Sequence, residues 1–146
     1  MAQFNPYLNF PGTTEEAFNF YKSVLGGEFI TVQRFKDIPD SSQIPPDVSD
    51  KIMHISLPVG NGNVLMATDA LESMGHPVTM GNNFYICINP DSKKEAERIF
   101  NGLSEGGKVE MPLSDQFWGA YYGSFRDKFG VGWMINYDNR QQQESK

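Results

Sequence analysis

One cysteine, Cys87, and only two histidines, His54 and His76, stand in 146 residues. A lone cysteine excludes any disulfide within the chain. Two histidines leave little from which to build an imidazole metal site. Positive charge is also scarce: 12 Lys and Arg against 18 Asp and Glu give a formal net charge of -6. No basic run is present to neutralise phosphates, so nucleic acid is not an expected partner. An anionic membrane surface is excluded on the same ground. No apolar stretch approaches the length of a membrane span. The opening Met1-Ala2-Gln3-Phe4-Asn5-Pro6 lacks the basic-then-apolar order of a secretion signal, so a cytoplasmic protein is expected. Cys87 lies in the apolar run from Phe84 to Ile88, where a buried, inert strand cysteine is expected.

Aromatic residues are plentiful, at 13% of the chain with 11 Phe, 6 Tyr and 2 Trp. They suit a β-rich core or the wall of an apolar ligand cavity. The length fits a single domain that buries its own core without a staple.

The chain repeats itself. Residues 5–27 and 84–107 each read as a short apolar strand, a turn, a helix and a Gly-Gly stop. Glu16-Ala17 matches Glu95-Ala96, Phe20-Tyr21 matches Ile99-Phe100, and Gly26-Gly27 matches Gly106-Gly107 with one residue of slip. The offset from Glu16 to Glu95 is 79 residues. Thr13 or Thr14 is placed to cap the first helix, with Glu16 as a capping-box acid. Ala17, Phe20, Tyr21 and Val24 give that helix one apolar face. In the second helix Asp91 or Ser92 caps, and Ala96, Ile99, Phe100 and Leu103 form the stripe. Strand-like sequence follows each helix: residues 29–35, 51–59 and 64–69 in the first half, and 108–112, 121–126 and 132–137 in the second. Gly60-Asn61-Gly62-Asn63 and Asp127-Lys128-Phe129-Gly130 read as turns. Each half is therefore β-α-β-β-β: module one at about 4–70, a connector at about 71–82, module two at about 83–138, and a polar tail at 139–146.

Two tandem βαβββ units resemble the vicinal-oxygen-chelate (glyoxalase, bleomycin-resistance and dioxygenase) superfamily. Three stretches carry a closer resemblance to its PhnB-like members. They are the segment Tyr7 to Gly27, Met53-His54-Ile55-Ser56-Leu57 with Leu65-Met66-Ala67-Thr68-Asp69, and the segment Phe117 to Asn136. The resemblance implies an α+β fold in which both modules form a curved, mixed eight-stranded sheet with helices on the convex face. It also implies a homodimer. It does not imply one reaction, because this fold hosts isomerases, dioxygenases, resistance enzymes and non-catalytic binders. Some PhnB-like proteins carry a methyltransferase label, but no glycine-rich loop after a strand is present to hold S-adenosylmethionine.

The metalloenzymes of the superfamily carry one ligand on the first and last strand of each module. Aligned through the helices and the repeat, those positions fall at Pro6, Leu65, Tyr85 and Met134. None is a ligand for a divalent oxygen/nitrogen site, so neither a metal nor another cofactor is expected. What the alternation leaves is a wall for a small molecule. Leu8 and Phe10 share the face of Pro6, and Cys87 and Asn89 that of Tyr85. Ala67 and Asp69 share the face of Leu65, and Asn136 that of Met134. His54, Trp118 and Tyr121 join this wall from neighbouring segments. Trp133 has the opposite parity and is expected against a helix.

His54 is the one side chain suited to acid–base work near neutral pH. Three functions follow: a small-molecule binder without metal, a metal-independent lyase, isomerase or transferase using His54 or a wall tyrosine, or a drug-sequestering resistance protein.

Overall fold

A computed structural model describes residues 2–39 and 43–140. Contacts divide the chain into two compact units, one up to Thr79 and one from Met80 on. The first holds β1 (Tyr7–Phe10), α1 (Thr14–Leu25), β2 (Thr31–Arg34), the short α2 (Pro46–Ser49), β3 (Ile52–Gly60) and β4 (Asn63–Asp69). The second holds β5 (Ile86–Ile88), α3 (Lys93–Ser104), β6 (Lys108–Asp115), β7 (Ala120–Arg126) and β8 (Gly132–Asp138). The strand orders are β1-β4-β3-β2 and β5-β8-β7-β6, the same topology twice. In each sheet the first strand pairs parallel to the last and the other pairings are antiparallel. This is the α+β, tandem βαβββ plan. Among the described residues, no helix is long and apolar enough to cross a membrane.

The helices form where their apolar spacing and caps allow. In α3, Ser92 Oγ accepts the Glu95 N–H at 3.0 Å, and Glu95 Oε1 accepts the Asp91 N–H at 3.1 Å. One orphan donor at the helix start, the Glu95 N–H, is thereby satisfied, and the Glu95 carboxylate ties down the residue before the cap. Ala96, Ile99, Phe100 and Leu103 are all buried, as the stripe requires.

The first helix departs from expectation. Thr13 makes no side-chain cap. The Thr14 N–H is instead taken by Asp69 Oδ1, from the end of β4, at 3.0 Å. Buried positions on α1 are Thr14, Ala17, Phe18 and Tyr21. Phe20 and Val24 are only half-buried, because Phe18 turns under the helix to meet Phe10 edge-on.

The Gly-Gly stops hold as a pair for a steric reason. A Cβ on Gly27 would stand 2.9 Å from the Pro58 carbonyl oxygen, and one on Gly107 would collide with the Arg126 carbonyl oxygen. In each unit the chain leaving the helix passes close against the third strand, where any side chain would force the backbone away.

Each sheet buries one face under its helix and leaves the other open. In the first, Leu8, Phe10, Ile55, Leu57, Leu65 and Ala67 are buried, while Tyr7 and Asn9 are exposed. In the second, Phe125, Trp133 and Ile135 are buried, and Phe100 of α3 meets Phe125 edge-on at 5.0 Å. Trp133 lies on the helix side, as its parity predicts.

Candidate functional site

Alternation along paired strands places matching rows of side chains on the two open faces. In the first sheet, Tyr7 pairs with Met66 and Met66 with Ser56. In the second, Cys87 pairs with Met134 and Met134 with Ser124. Methionine and serine recur at equivalent places, and Tyr7 has Cys87 as its counterpart. Two residues before each serine stand His54 and Tyr122. The helices lie 79 residues apart, Ala17 to Ala96, but the strands before them lie 80 apart, Leu8 to Ile88. The path from first strand to helix is therefore one residue shorter in the second unit.

His54 is held at both ring nitrogens. Nδ1 lies 3.1 Å from Tyr7 Oη, and Nε2 lies 2.9 Å from Ser56 Oγ. The Tyr7 ring stacks on the imidazole at 5.6 Å between centroids, 28° from parallel. Pairing puts Gln33 of β2 beside His54. Burial pushes the Tyr7 phenol above its usual range, so it stays protonated at neutral pH.

On the second open face, Tyr85 crosses above Gly132, where a Cβ would come 2.8 Å from its ring. Its hydroxyl donates to Glu110 Oε1 at 2.6 Å, and the Arg126 guanidinium lies 5.1 Å from its ring centre. Arg126 Nε pairs with Glu110 Oε2 at 3.5 Å. The register of β6 slips between Val109 and Met111, and Glu110 is the extra residue at this bulge. The hydrogen bond to the Glu110 carboxylate, followed by burial, raises the Tyr85 phenol pKa. Farther along, Trp118 in the β6–β7 turn meets Tyr122 at 6.2 Å, and Phe117 beside it is almost fully exposed. Asn89 Nδ2 donates to the Asn136 carbonyl at 3.0 Å.

The expected wall is thus brought together only in part. Tyr85, Cys87, Met134 and Asn136 share the second open face, with Trp118 at its turn. His54 stands on the first. Leu8, Phe10, Leu65 and Ala67 do not: they lie on the helix-covered side, as the Phe10–Phe18 contact and the strand pairing require. The expected first-strand position, Pro6, lies one residue before Tyr7, and its β4 counterpart, Leu65, one before Met66, and one residue exchanges the two faces of a strand. Tyr121 is on the helix side too, donating to Glu97 of α3 at 3.0 Å beneath the Lys93 ammonium. Burial, then the Glu97 hydrogen bond, raises its pKa.

Cys87 is exposed rather than buried, although partial desolvation raises its thiol pKa. Tyr7, Ser56, Met66, Tyr122, Ser124, Glu110 and Arg126 were not among the expected wall residues. The shared Ser and Met of His54-Ile55-Ser56 with Met66, and of Tyr122-Gly123-Ser124 with Met134, are the signal that points to four of them. With the register corrected, the four positions on the first and last strands of the two units are Tyr7, Met66, Cys87 and Met134. Among the described residues, no three His, Cys, Asp or Glu side chains gather as a metal site would need.

The topology is that of the glyoxalase/bleomycin-resistance fold. A family enzyme of that class from Burkholderia phytofirmans PsJN superposes with a TM-score of 0.62 at 15% identity, covering 92% of this chain and 96% of its own. The 3-demethylubiquinone-9 3-methyltransferase family model matches residues 2–136, and the chain belongs to that PhnB-like family. Protein PA1353 from Pseudomonas aeruginosa is 45% identical, with a TM-score of 0.83 over 94% of this chain and 98% of that one. Protein YjdN of Escherichia coli K12 is 32% identical over 90% of this chain and 92% of its own. The PhnB protein of Bacillus cereus has a TM-score of 0.75 at 24% identity, covering 93% of this chain and 99% of its own.

Proposed function

We propose that this PhnB-like protein binds a small organic molecule without a metal, and that the open face around His54 is the place of binding. The observation that carries the reading is the imidazole fixed on both sides, by Tyr7 and by Ser56, on a sheet face that no helix covers among the described residues. An ordered polar group beside apolar Met66 has the make-up of a small-molecule site. The donor set supports the metal-free part. Tyrosine, two methionines and a thiol do not fit the divalent cation of the superfamily's metalloenzymes.

Methyl transfer, the activity in the family's name, finds no support in the strand-to-helix turns. The first, Pro11-Gly12-Thr13, has one glycine, and the second, from Asn89 to Ser92, has none. A dinucleotide-type cradle needs several. Cytoplasmic location and a homodimer belong to the same reading, and sedimentation of the purified protein tests the latter.

A thermal-shift screen of small carbonyl compounds, organic acids and aromatic ligands tests the function, repeated on His54→Ala. Ligands that stabilise the wild type and lose at least part of that effect in the variant are expected. Full occupancy of zinc, nickel or iron in the purified protein, or hits indifferent to His54→Ala, would remove the reading.

A further inference from the structure

The imidazole of His54 has no nitrogen left for a ligand, since Tyr7 and Ser56 occupy both. Of these two hydroxyl residues Ser56 is 4% exposed and Tyr7 47%. A molecule arriving on the open face therefore meets Tyr7 first. We propose that Tyr7 Oη is the group that binds the ligand, donating a hydrogen bond to a carbonyl or carboxylate oxygen, and that His54 and Ser56 behind it are positioning residues that set the direction of that hydroxyl. This rests on the reading that the open face of the first sheet binds a small molecule.

The direction follows from donor counting. A neutral imidazole donates at one nitrogen and accepts at the other. With the proton on Nδ1, the ring donates to Tyr7 Oη and accepts from Ser56 at Nε2. The phenol hydrogen is then free to point outward. With the proton on Nε2, the ring donates to Ser56 and Tyr7 donates inward, leaving only lone pairs for the ligand. An acceptor oxygen at Tyr7 selects the first arrangement, whereas a hydroxyl or amine donor selects the second. A phenol's ordinary pKa of 10.0, raised further by burial, leaves Tyr7 protonated at neutral pH, so the hydrogen is present to be given. The apolar neighbour Met66, paired with both Tyr7 and Ser56, favours a ligand whose oxygen is carried on a hydrocarbon or aromatic body.

The probes are benzoate for the carboxylate, benzamide for the neutral carbonyl, and toluene as a body without an acceptor. Affinities are read by NMR titration of the full chain, with long-range proton–nitrogen spectra of His54 at a pH where the ring is neutral. Benzoate, benzamide or both are expected to bind more tightly than toluene and to shift His54 toward the Nδ1–H form. Tyr7→Phe is expected to weaken benzoate about tenfold or more and benzamide about two- to tenfold while toluene is unchanged, as loss of a single hydrogen bond implies. Ser56→Ala is expected to return His54 toward the Nε2–H form and to weaken the acceptor probe, although Ser56 touches no ligand.

Benzoate or benzamide bound equally by Tyr7→Phe, but lost by His54→Ala, overturns the inference and leaves the site standing. A ligand-induced shift toward Nε2–H also overturns it. Absence of binding by all three probes to the wild type overturns the inference; the wider screen then decides the binding function separately.

Discussion

Asp69 Oδ1 accepts the backbone N–H of Thr14 at 3.0 Å, joining the last strand of the first unit to the first turn of its helix across 55 residues. Its second oxygen, Oδ2, accepts the Ile52 N–H at 2.8 Å, at the start of β3. One carboxylate thus fixes a helix start and a strand start, and it is buried while doing so. Asp69→Ala leaves two N–H groups without their acceptor, which costs about 2–4 kcal/mol. Asp69→Asn keeps one acceptor oxygen and loses less. Urea midpoints of the two variants check the order; equal midpoints would show that Asp69 is not the cap that holds α1.

Asp127 plays a comparable part in the second unit. Oδ1 takes the N–H groups of Phe129 and Val131, at 2.8 and 3.1 Å, and Oδ2 takes Trp133 Nε1 at 2.8 Å. It sets the turn before β8 and anchors the indole under α3. Trp133→Phe keeps the ring in the core but removes the indole donor. A loss of about 1–3 kcal/mol is expected from the lost bond and the smaller ring. Calorimetry of the variant decides; a change under about 0.5 kcal/mol is what a surface site gives.

The Glu15–Arg34 pair carries a pH dependence. Arg34 Nη1 and Nη2 meet both Glu15 oxygens, at 3.0 and 2.6 Å. The hydrogen bond to this guanidinium holds the Glu15 carboxyl below its ordinary 4.5. A depressed folded-state pKa stabilises above the unfolded value and ceases to as the pH falls through the folded one. The contribution is therefore whole above about 4.5 and drains away beneath it. With the Glu15 side chain half exposed, screening limits it to about 0.2–1 kcal/mol. Unfolding of wild type and Glu15→Gln compared from pH 7 to pH 3 should show curves that converge in acid, and parallel curves would refute the pairing.

Cys87 is open to reagents but slow to ionise. Desolvation lifts its thiol above the ordinary 9.0, and only the thiolate reacts. Iodoacetamide alkylation should therefore be single-site, and its rate should still be climbing at pH 9. A plateau below pH 8 would mean an activated thiol instead.

Much of this architecture is written locally, and some of it is not. The order of strand, cap, helix and double glycine is visible twice because each signal spans only a few residues. Ser92 with Glu95, and the stripe from Ala96 to Leu103, can be read directly. The cap of α1 cannot, because its acceptor is Asp69, distant in sequence and close only once β4 is paired. The facing of β1 and β4 failed by a single residue. The first strand, positioned through its own helix, is set at Pro6, one residue short of Tyr7, and β4, by counterpart to Met134, at Leu65, one short of Met66. Leu8, Phe10, Leu65 and Ala67 moved under the helix for those single-residue slips. His54 could be singled out by type; that Tyr7 and Ser56 engage both of its nitrogens required the pairing of three strands. Glu110 reaches Tyr85 from a bulge, which no alternation rule foretells.

The doubled topology gives the molecule its own internal control. At the places where the first sheet carries Tyr7, His54 and Ser56, the second carries Cys87, Tyr122 and Ser124 on the same backbone pattern. Whatever chemistry belongs to the first trio can be looked for in the second and should be missing there. Two exchanges, Cys87→Tyr and Tyr122→His, would write the first trio into the second sheet, turning an ancient-looking symmetry into a transplant experiment within one chain.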